Sequence, residues 1–90
     1  MTNIFEKDPN ARLDYQWDWS DWLADGETIA SAVITVPDDI TLDQQDDADT
    51  TVTAWLEGGE DGVGYKVTCH ITTSAGREDD RSIYLIGRER

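Results

Sequence analysis

The sequence predicts an all-β fold, a single antiparallel β-sandwich of about seven short strands that is held together without a disulfide bond. Apolar and polar residues alternate with a period of two in several segments, most clearly over residues 65–73, as in a half-buried strand. Turn-forming residues separate these segments roughly every 8–12 positions, and no stretch has the period of a long helix. The chain has a single cysteine, Cys69, so no intramolecular disulfide can form and packing alone must stabilise the fold.

The chain begins with a segment that differs from the rest. Asp8-Pro9-Asn10 is a turn signal, and Pro9 favours an extended conformation at the residue before it. We therefore predict a flexible N-terminal arm over residues 1–11 and a β-sandwich domain over residues 12–88.

The first part of the domain is predicted to contain two strands. Residues 13–19 alternate, so one face of that strand carries large side chains: Leu13, Tyr15, Trp17 and Trp19. Residues 20–26 are expected to make one helical turn, with Ser20 as the N-cap and Gly26 after its end. Residues 28–36 are rich in β-branched side chains and form a strand that ends at Pro37.

The middle of the domain is more acidic. A short strand is predicted over residues 40–42, and residues 44–49 are expected to form an acidic loop. The next strand, residues 50–56, carries Trp55 on the face opposite to a set of aliphatic side chains, namely Val52, Ala54 and Leu56. The glycine-rich residues 58–62 then form a flexible turn.

The last two strands form a predicted hairpin. Residues 65–73 should bury one alternating set of side chains, Tyr65, Val67, Cys69 and Ile71. A connection over residues 74–77 leads to the final strand, residues 80–88, whose Ile83 and Leu85 point inward.

The formal net charge of −13 limits the classes of partner. Contacts to phosphate need clustered Lys and Arg, so binding of nucleic acid through a basic face is excluded and an anionic membrane surface is disfavoured. The N-terminus has no apolar signal segment, and the longest apolar run, residues 29–36, is far too short to span a membrane. We expect the chain to assemble in a reducing cytoplasm.

No catalytic residue, cofactor or metal ligand is predicted. Cys69 and His70 are adjacent in a strand and point to opposite faces, so they cannot act as nucleophile and base; Cys69 is expected in the core and His70 at the surface. A triad that includes Ser20 lacks a nucleophile-elbow motif. A calcium ion held by the acidic residues 43–49 stays open as a minor alternative to a solvated loop.

Most of the chain contains a series of short motifs, namely Leu13-Asp14-Tyr15, Asp18-Trp19-Ser20, Trp22-Leu23, Asp25-Gly26, Val36-Pro37, Ala54-Trp55-Leu56, Gly58-Gly59, Tyr65-x-Val67, Ile71-Thr72-Thr73, Gly76-Arg77 and Asp79-Asp80-Arg81. In this order, the motifs resemble those of the small fiber–tail adaptor proteins of tailed phages and prophages. The resemblance covers residues 8–86. It implies a non-enzymatic structural protein of the virion, with an immunoglobulin-like sandwich, that docks to phage tail or fiber proteins.

The final hairpin independently resembles the F and G strands of immunoglobulin and fibronectin type III domains. Tyr65 lies at the start of the predicted F strand, where such folds carry a tyrosine corner. Cys69 follows Tyr65 by four residues and has no partner, which is not the antibody pattern. The predicted fold is therefore a disulfide-free immunoglobulin-like, or fibronectin-III-like, sandwich.

Candidate docking residues are those that strand alternation or local sequence leaves outside the core. Trp55 is the leading candidate because exposed tryptophan is enriched at binding hot spots. Ile4 and Phe5 in the predicted arm lack local neighbours that could bury them. Arg77 and Arg81 flank the acidic residues 78–80 of the hairpin and are further candidates, although ion pairs between these arginines and the neighbouring carboxylates are the simpler interpretation. Other copies of this chain are further possible partners. Capsid decoration, or direct binding of a glycan or a host protein, are the alternative functions.

Overall fold

Seven strands form two β-sheets that pack face to face in the computed structural model, which describes residues 4–89. The four-stranded sheet has the order β1-β7-β6-β3, and the three-stranded sheet has the order β2-β5-β4. The strands are β1 (Ile4–Lys7), β2 (Leu13–Asp18), β3 (Ile29–Thr35), β4 (Ile40–Asp47), β5 (Thr51–Gly58), β6 (Gly64–Thr73) and β7 (Glu78–Gly87). The predicted all-β sandwich is confirmed. The described residues contain no helix that is long and apolar enough to cross a membrane.

The core lies between the two sheets and follows the alternation of the sequence. The inward residues of β6 are buried while Lys66, Thr68, His70 and Thr72 are not, as predicted. Cys69 is a free, buried thiol. The buried hydrophobic side chains form one cluster: Tyr15, Trp17, Trp19, Ile40, Val52, Ala54, Leu56, Tyr65, Val67, Cys69, Ile71, Ile83 and Leu85.

The first strand differs from the expected arm. Residues 4–7 form β1, which pairs with β7 in parallel, so the sandwich is not purely antiparallel. The chain then crosses to the other sheet between β1 and β2. Lys7 anchors the strand: its buried amine donates to the carbonyl oxygen of Gly58 at 2.8 Å, and burial lowers its pKa. How readily this segment detaches stays a prediction, and residues 1–3 lie outside the described residues.

The predicted acidic loop is also a strand, at least in part. β4 continues to Asp47, with an irregularity in its pairing to β5 between Leu42 and Gln44. This shift by one residue turns Gln45 inward, where its amide donates to the carbonyl oxygen of Ala32 in β3 at 3.1 Å. The prediction of a loop was wrong for residues 44–47 and correct for residues 48 and 49. The polar second half of β4 has no apolar alternation that would have indicated a strand.

Residues 20–26 form turns rather than a helix. The amide of Leu23 bonds to the carbonyl oxygen of Trp19 at 3.0 Å, which is a single helical bond that does not continue. The amide of Ala24 donates instead to the Glu27 carboxylate at 3.0 Å, and Gly26 has a φ of +77°. The segment is therefore a compact connection between the two sheets.

Candidate protein interface

The outer face of the three-stranded sheet has Trp55 at its centre. Because Val52, Ala54 and Leu56 are buried, the alternate residues of β5 point outward. Asp14 of β2 and Gln44 of β4 lie directly opposite Trp55 on either side. We call this surface the Trp55 face, and it comprises Asp14, Gln16, Asp18, Thr41, Gln44, Asp46, Thr51, Thr53, Trp55 and Glu57.

Trp55 points outward, as the alternation predicts, but it is only partly exposed. The guanidinium group of Arg12 lies over its ring, 4.5 Å from the ring centroid, and the Nε of Arg12 donates to Asp43 at 2.5 Å. The sequence did not single out Arg12, and it indicated Asp43 only as one of the acidic residues 43–49 that could hold calcium. Arg12 directly precedes β2, and β2 pairs with β5, which carries Trp55. The position of this cation just before the strand is the signal that could have indicated it.

The Trp55 face is strongly negative. Asp14, Asp18, Asp46 and Glu57 form no ion pair among the described residues, whereas Arg12 is already paired with Asp43. Hydrogen bonds from Ser20 lower the pKa of Asp18 below its usual value and favour its charged form. A partly exposed tryptophan surrounded by carboxylates is suited to a partner that presents basic side chains around an apolar contact.

Ile4 and Phe5 lie on a different sheet, on its edge strand β1. Ile4 is 56% exposed and pairs with Tyr84, and the two side chains help to line a shallow cleft of about 400 Å³. Phe5 is 40% exposed and its ring lies 5.1 Å from that of Tyr15 in the other sheet. Both side chains are thus accessible, as the sequence predicts, although they belong to a paired strand.

Arg77 does not pair with its neighbours in the hairpin. It forms a two-pronged contact with the buried carboxylate of Glu27, with distances of 3.0 Å from Nε to Oε2 and 2.5 Å from Nη2 to Oε1. Its guanidinium also lies 4.0 Å from the ring centroid of Trp22. The predicted local pairing was therefore wrong for Arg77, which instead fixes the connection between β2 and β3 to the hairpin.

Arg81 makes both local and distant contacts. Its Nη1 donates to the backbone carbonyl oxygen of Asp18 at 2.7 Å, and its Nε lies 3.5 Å from a carboxylate oxygen of Asp79. The same carboxylate accepts the indole N–H of Trp19 at 2.9 Å. This arginine joins the ends of β2 and β7 across the two sheets.

The residues predicted for docking do not form one site. Ile4 and Phe5 lie at the edge of the four-stranded sheet, Trp55 lies on the opposite sheet, and Arg77 and Arg81 lie near the hairpin connection. Both arginines are engaged in contacts within the protein. The interface role of all five residues stays a prediction, for which Trp55 has the most favourable surroundings.

The described residues offer little for metal binding or catalysis. Within residues 4–89, no three side chains of His, Cys, Asp or Glu come together in a way that could hold a metal ion. Burial raises the pKa of the Cys69 thiol to about 12. His70 faces outward between two carboxylates, Asp80 at 2.5 Å and Glu78 at 2.8 Å, whose hydrogen bonds raise its pKa. Cys69 and His70 therefore lie on opposite faces of β6, as predicted.

Comparison with known proteins assigns the chain to a family. The family model described as "Podophage GP4 fiber-tail adaptor protein gp77" matches residues 7–86, which is most of the chain. A search of curated proteins gave no match. The match agrees with the resemblance in the sequence motifs. The chain belongs to the podophage fiber-tail adaptor family and has a non-enzymatic, structural role in the virion.

Proposed function

We propose that this chain joins a phage fiber to the tail by protein–protein docking, and that the Trp55 face is one of its docking surfaces. The observation that carries the proposal is the position of Trp55 in a negative, solvent-facing sheet surface of a chain from an adaptor family. An aromatic side chain at the centre of a flat surface is a frequent energetic anchor of protein interfaces. The surrounding carboxylates favour a partner surface rich in Lys and Arg.

We further propose that the sandwich is immunoglobulin-like. Named in that scheme, β2, β5 and β4 correspond to strands B, E and D, and β3, β6 and β7 correspond to C, F and G. Tyr65 supports this correspondence, because it lies near the start of the sixth strand and its hydroxyl accepts a hydrogen bond from the backbone amide of Glu60, five residues earlier, at 2.8 Å. The hydroxyl also lies 3.3 Å from the Asp39 carboxylate.

The proposed partners are tail and fiber proteins, and other copies of the chain are a secondary possibility within the assembled tail. The net charge of −13 supports a set of partners without nucleic acid or an anionic membrane. The buried, unoxidised thiol of Cys69 suits assembly in the cytoplasm of the host bacterium before incorporation into the virion.

The experiment compares Trp55→Ala with Val33→Ala, which truncates an exposed apolar side chain on β3, the edge of the other sheet farthest from β1 and Ile4. We expect Trp55→Ala to leave folding largely intact and to weaken binding to the cognate tail complex by about 2 kcal/mol or more, roughly 30-fold in Kd. Val33→Ala should bind like the parent protein. Thermal melting measures folding, and co-purification with a titration series measures binding.

Raising the salt concentration provides a second readout. If carboxylates of the Trp55 face meet basic side chains, association should slow as salt screens the attraction. The proposal fails if Trp55→Ala unfolds the domain, since Trp55 is then structural, or if it folds and binds normally. Localisation of the labelled chain on the capsid would favour the decoration alternative over docking between tail and fiber.

A further inference from the structure

One edge of the three-stranded sheet is open. β2 is the terminal strand of that sheet and pairs only with β5. Among the described residues, no backbone-to-backbone hydrogen bond joins its other edge to a neighbouring segment; at the end of that edge, the carbonyl oxygen of Asp18 accepts a hydrogen bond from the Arg81 side chain at 2.7 Å. In an immunoglobulin-type sheet with the order A-B-E-D, this position beside strand B belongs to strand A. Here the N-terminal strand pairs with β7 in the other sheet, so the position beside β2 is left without a strand.

Alternate backbone amides of β2 point away from β5, toward the open edge. The amide of Trp19 donates to the carbonyl oxygen of Thr50 at 2.9 Å, continuing the ladder between β2 and β5. Backbone groups alternate between the two edges of a strand. The amides of Asp14, Gln16 and Asp18 therefore point to the open edge, while those of Tyr15 and Trp17 point to β5.

On the inner side of this edge, Leu13 is open to solvent, whereas Tyr15 and Trp17 are buried. Leu13 points toward the core side of the sheet yet is 39% exposed. Tyr15 and Trp17 are only 9% and 3% exposed, yet the hydroxyl of the first and the indole N–H of the second have no hydrogen-bond partner among the described residues. Such groups are costly to bury unpaired. All three side chains belong to β2, the strand whose edge is open.

We propose that an extended segment of the tail or fiber partner adds to the free edge of β2 as a fourth strand. The inference rests on the proposed docking function and identifies its geometry. The added strand would place alternate side chains beside Leu13, Tyr15 and Trp17, where apolar groups fit, and the others beside Asp14 and Asp18, where Lys and Arg fit. The occupant is thus an alternating apolar and basic segment.

A second copy of this chain fits the edge less well. If the N-terminal strand of the second copy were the added strand and its Glu6 faced outward, Glu6 would add a further carboxylate beside Asp14 or Asp18. The outer face next to the edge has no unpaired cation among the described residues that could compensate. Charge complementarity therefore favours a basic partner segment.

The test uses Gln16→Pro, which removes an amide from the open edge without removing one from the ladder with β5. Gln16→Ala is the matched control, because it removes the same side chain, including its 3.4 Å contact to Thr53, and keeps the amide. Because Gln16 also belongs to the Trp55 face, the alanine variant measures what its side chain contributes to binding. We expect binding to tail complexes to be at least tenfold weaker for the proline variant than for the alanine variant. Thermal melting of both variants shows whether the domain is intact.

Hydrogen exchange on the unmodified protein makes the test independent of any variant that fails to fold. The amides of Asp14, Gln16 and Asp18 should exchange quickly in the free protein and gain protection of at least tenfold in the tail complex. Protection already present in the free monomer, or appearing in a dimer of the chain, overturns the proposal. Unchanged exchange in a complex that does form overturns strand addition alone, whereas failure of the unmodified protein to bind at all overturns the docking function as well.

Discussion

At the scale of single residues, the best-buried polar contact in the described structure is centred on Glu27. Its carboxylate accepts hydrogen bonds from Arg77, from the Thr73 hydroxyl at 2.5 Å and from the Ala24 amide at 3.0 Å. These donors stabilise the ionised form and lower the pKa of Glu27 to about 2. Thr73 and Arg77 are 46 and 50 residues from Glu27 in the chain, so sequence alone could not have paired them with it.

The stability that Glu27 contributes should depend on pH. The folded-state pKa of Glu27 lies below its ordinary value of 4.5, so its contribution to stability is present above about pH 4.5 and is lost as the pH falls toward 2. Glu27→Gln should therefore be less stable than the parent protein at neutral pH, and the difference should shrink steadily on acidification. Urea unfolding at a series of pH values measures it, and a difference that stays constant from pH 7 to pH 2.5 would contradict the assignment.

Residue orientations were predictable where a strand alternates clearly. Trp55, Cys69 and His70 were assigned to the correct faces because a period of two leaves only two choices per residue. The surroundings of those residues were not predictable. Arg12 reaches Trp55 through a contact between neighbouring strands, which requires the register of β2 against β5.

At the scale of elements, the sequence predicted strands with apolar alternation and missed those without it. The prediction located β6 and β7 to within about two residues at most ends, because buried side chains recur at every second position. β1 is only four residues long and three of them are exposed, so its sequence carries no such signal. The second half of β4 is polar, and its pairing with β5 defines it as a strand.

We expect β1 to contribute to the stability of the sandwich. Deleting residues 1–7 removes β1, its pairing with β7 and the buried Lys7 contact to Gly58. We expect the free energy of unfolding to fall by about 1–3 kcal/mol, the range typical of losing a buried anchor and an edge strand. Deleting only residues 1–3 is the control and should cost much less. Chemical denaturation of both variants gives the comparison, and equal stability for the two would mean that β1 behaves as the detachable arm.

At the scale of the whole molecule, the sandwich presents two unlike outer surfaces. The Trp55 face is acidic around one aromatic side chain. The outer face of the four-stranded sheet has an exposed apolar pair, Ile4 and Tyr84, beside Lys66, and carries Glu78 and Asp80 around His70 farther along the strands. An adaptor must hold two partners at once, and two opposed faces of different chemistry allow that. We expect the acidic face to take a basic partner and the Ile4 side to take a more apolar one.

The most direct measurement of the adaptor claim is reconstitution. Tails assembled without this chain are mixed with purified fibers, with and without the purified protein, and fiber attachment is counted by electron microscopy. The account predicts that fibers attach only when the protein is added, and that the Trp55→Ala variant restores attachment only at much higher concentration. Fibers that attach equally well without the protein would contradict it.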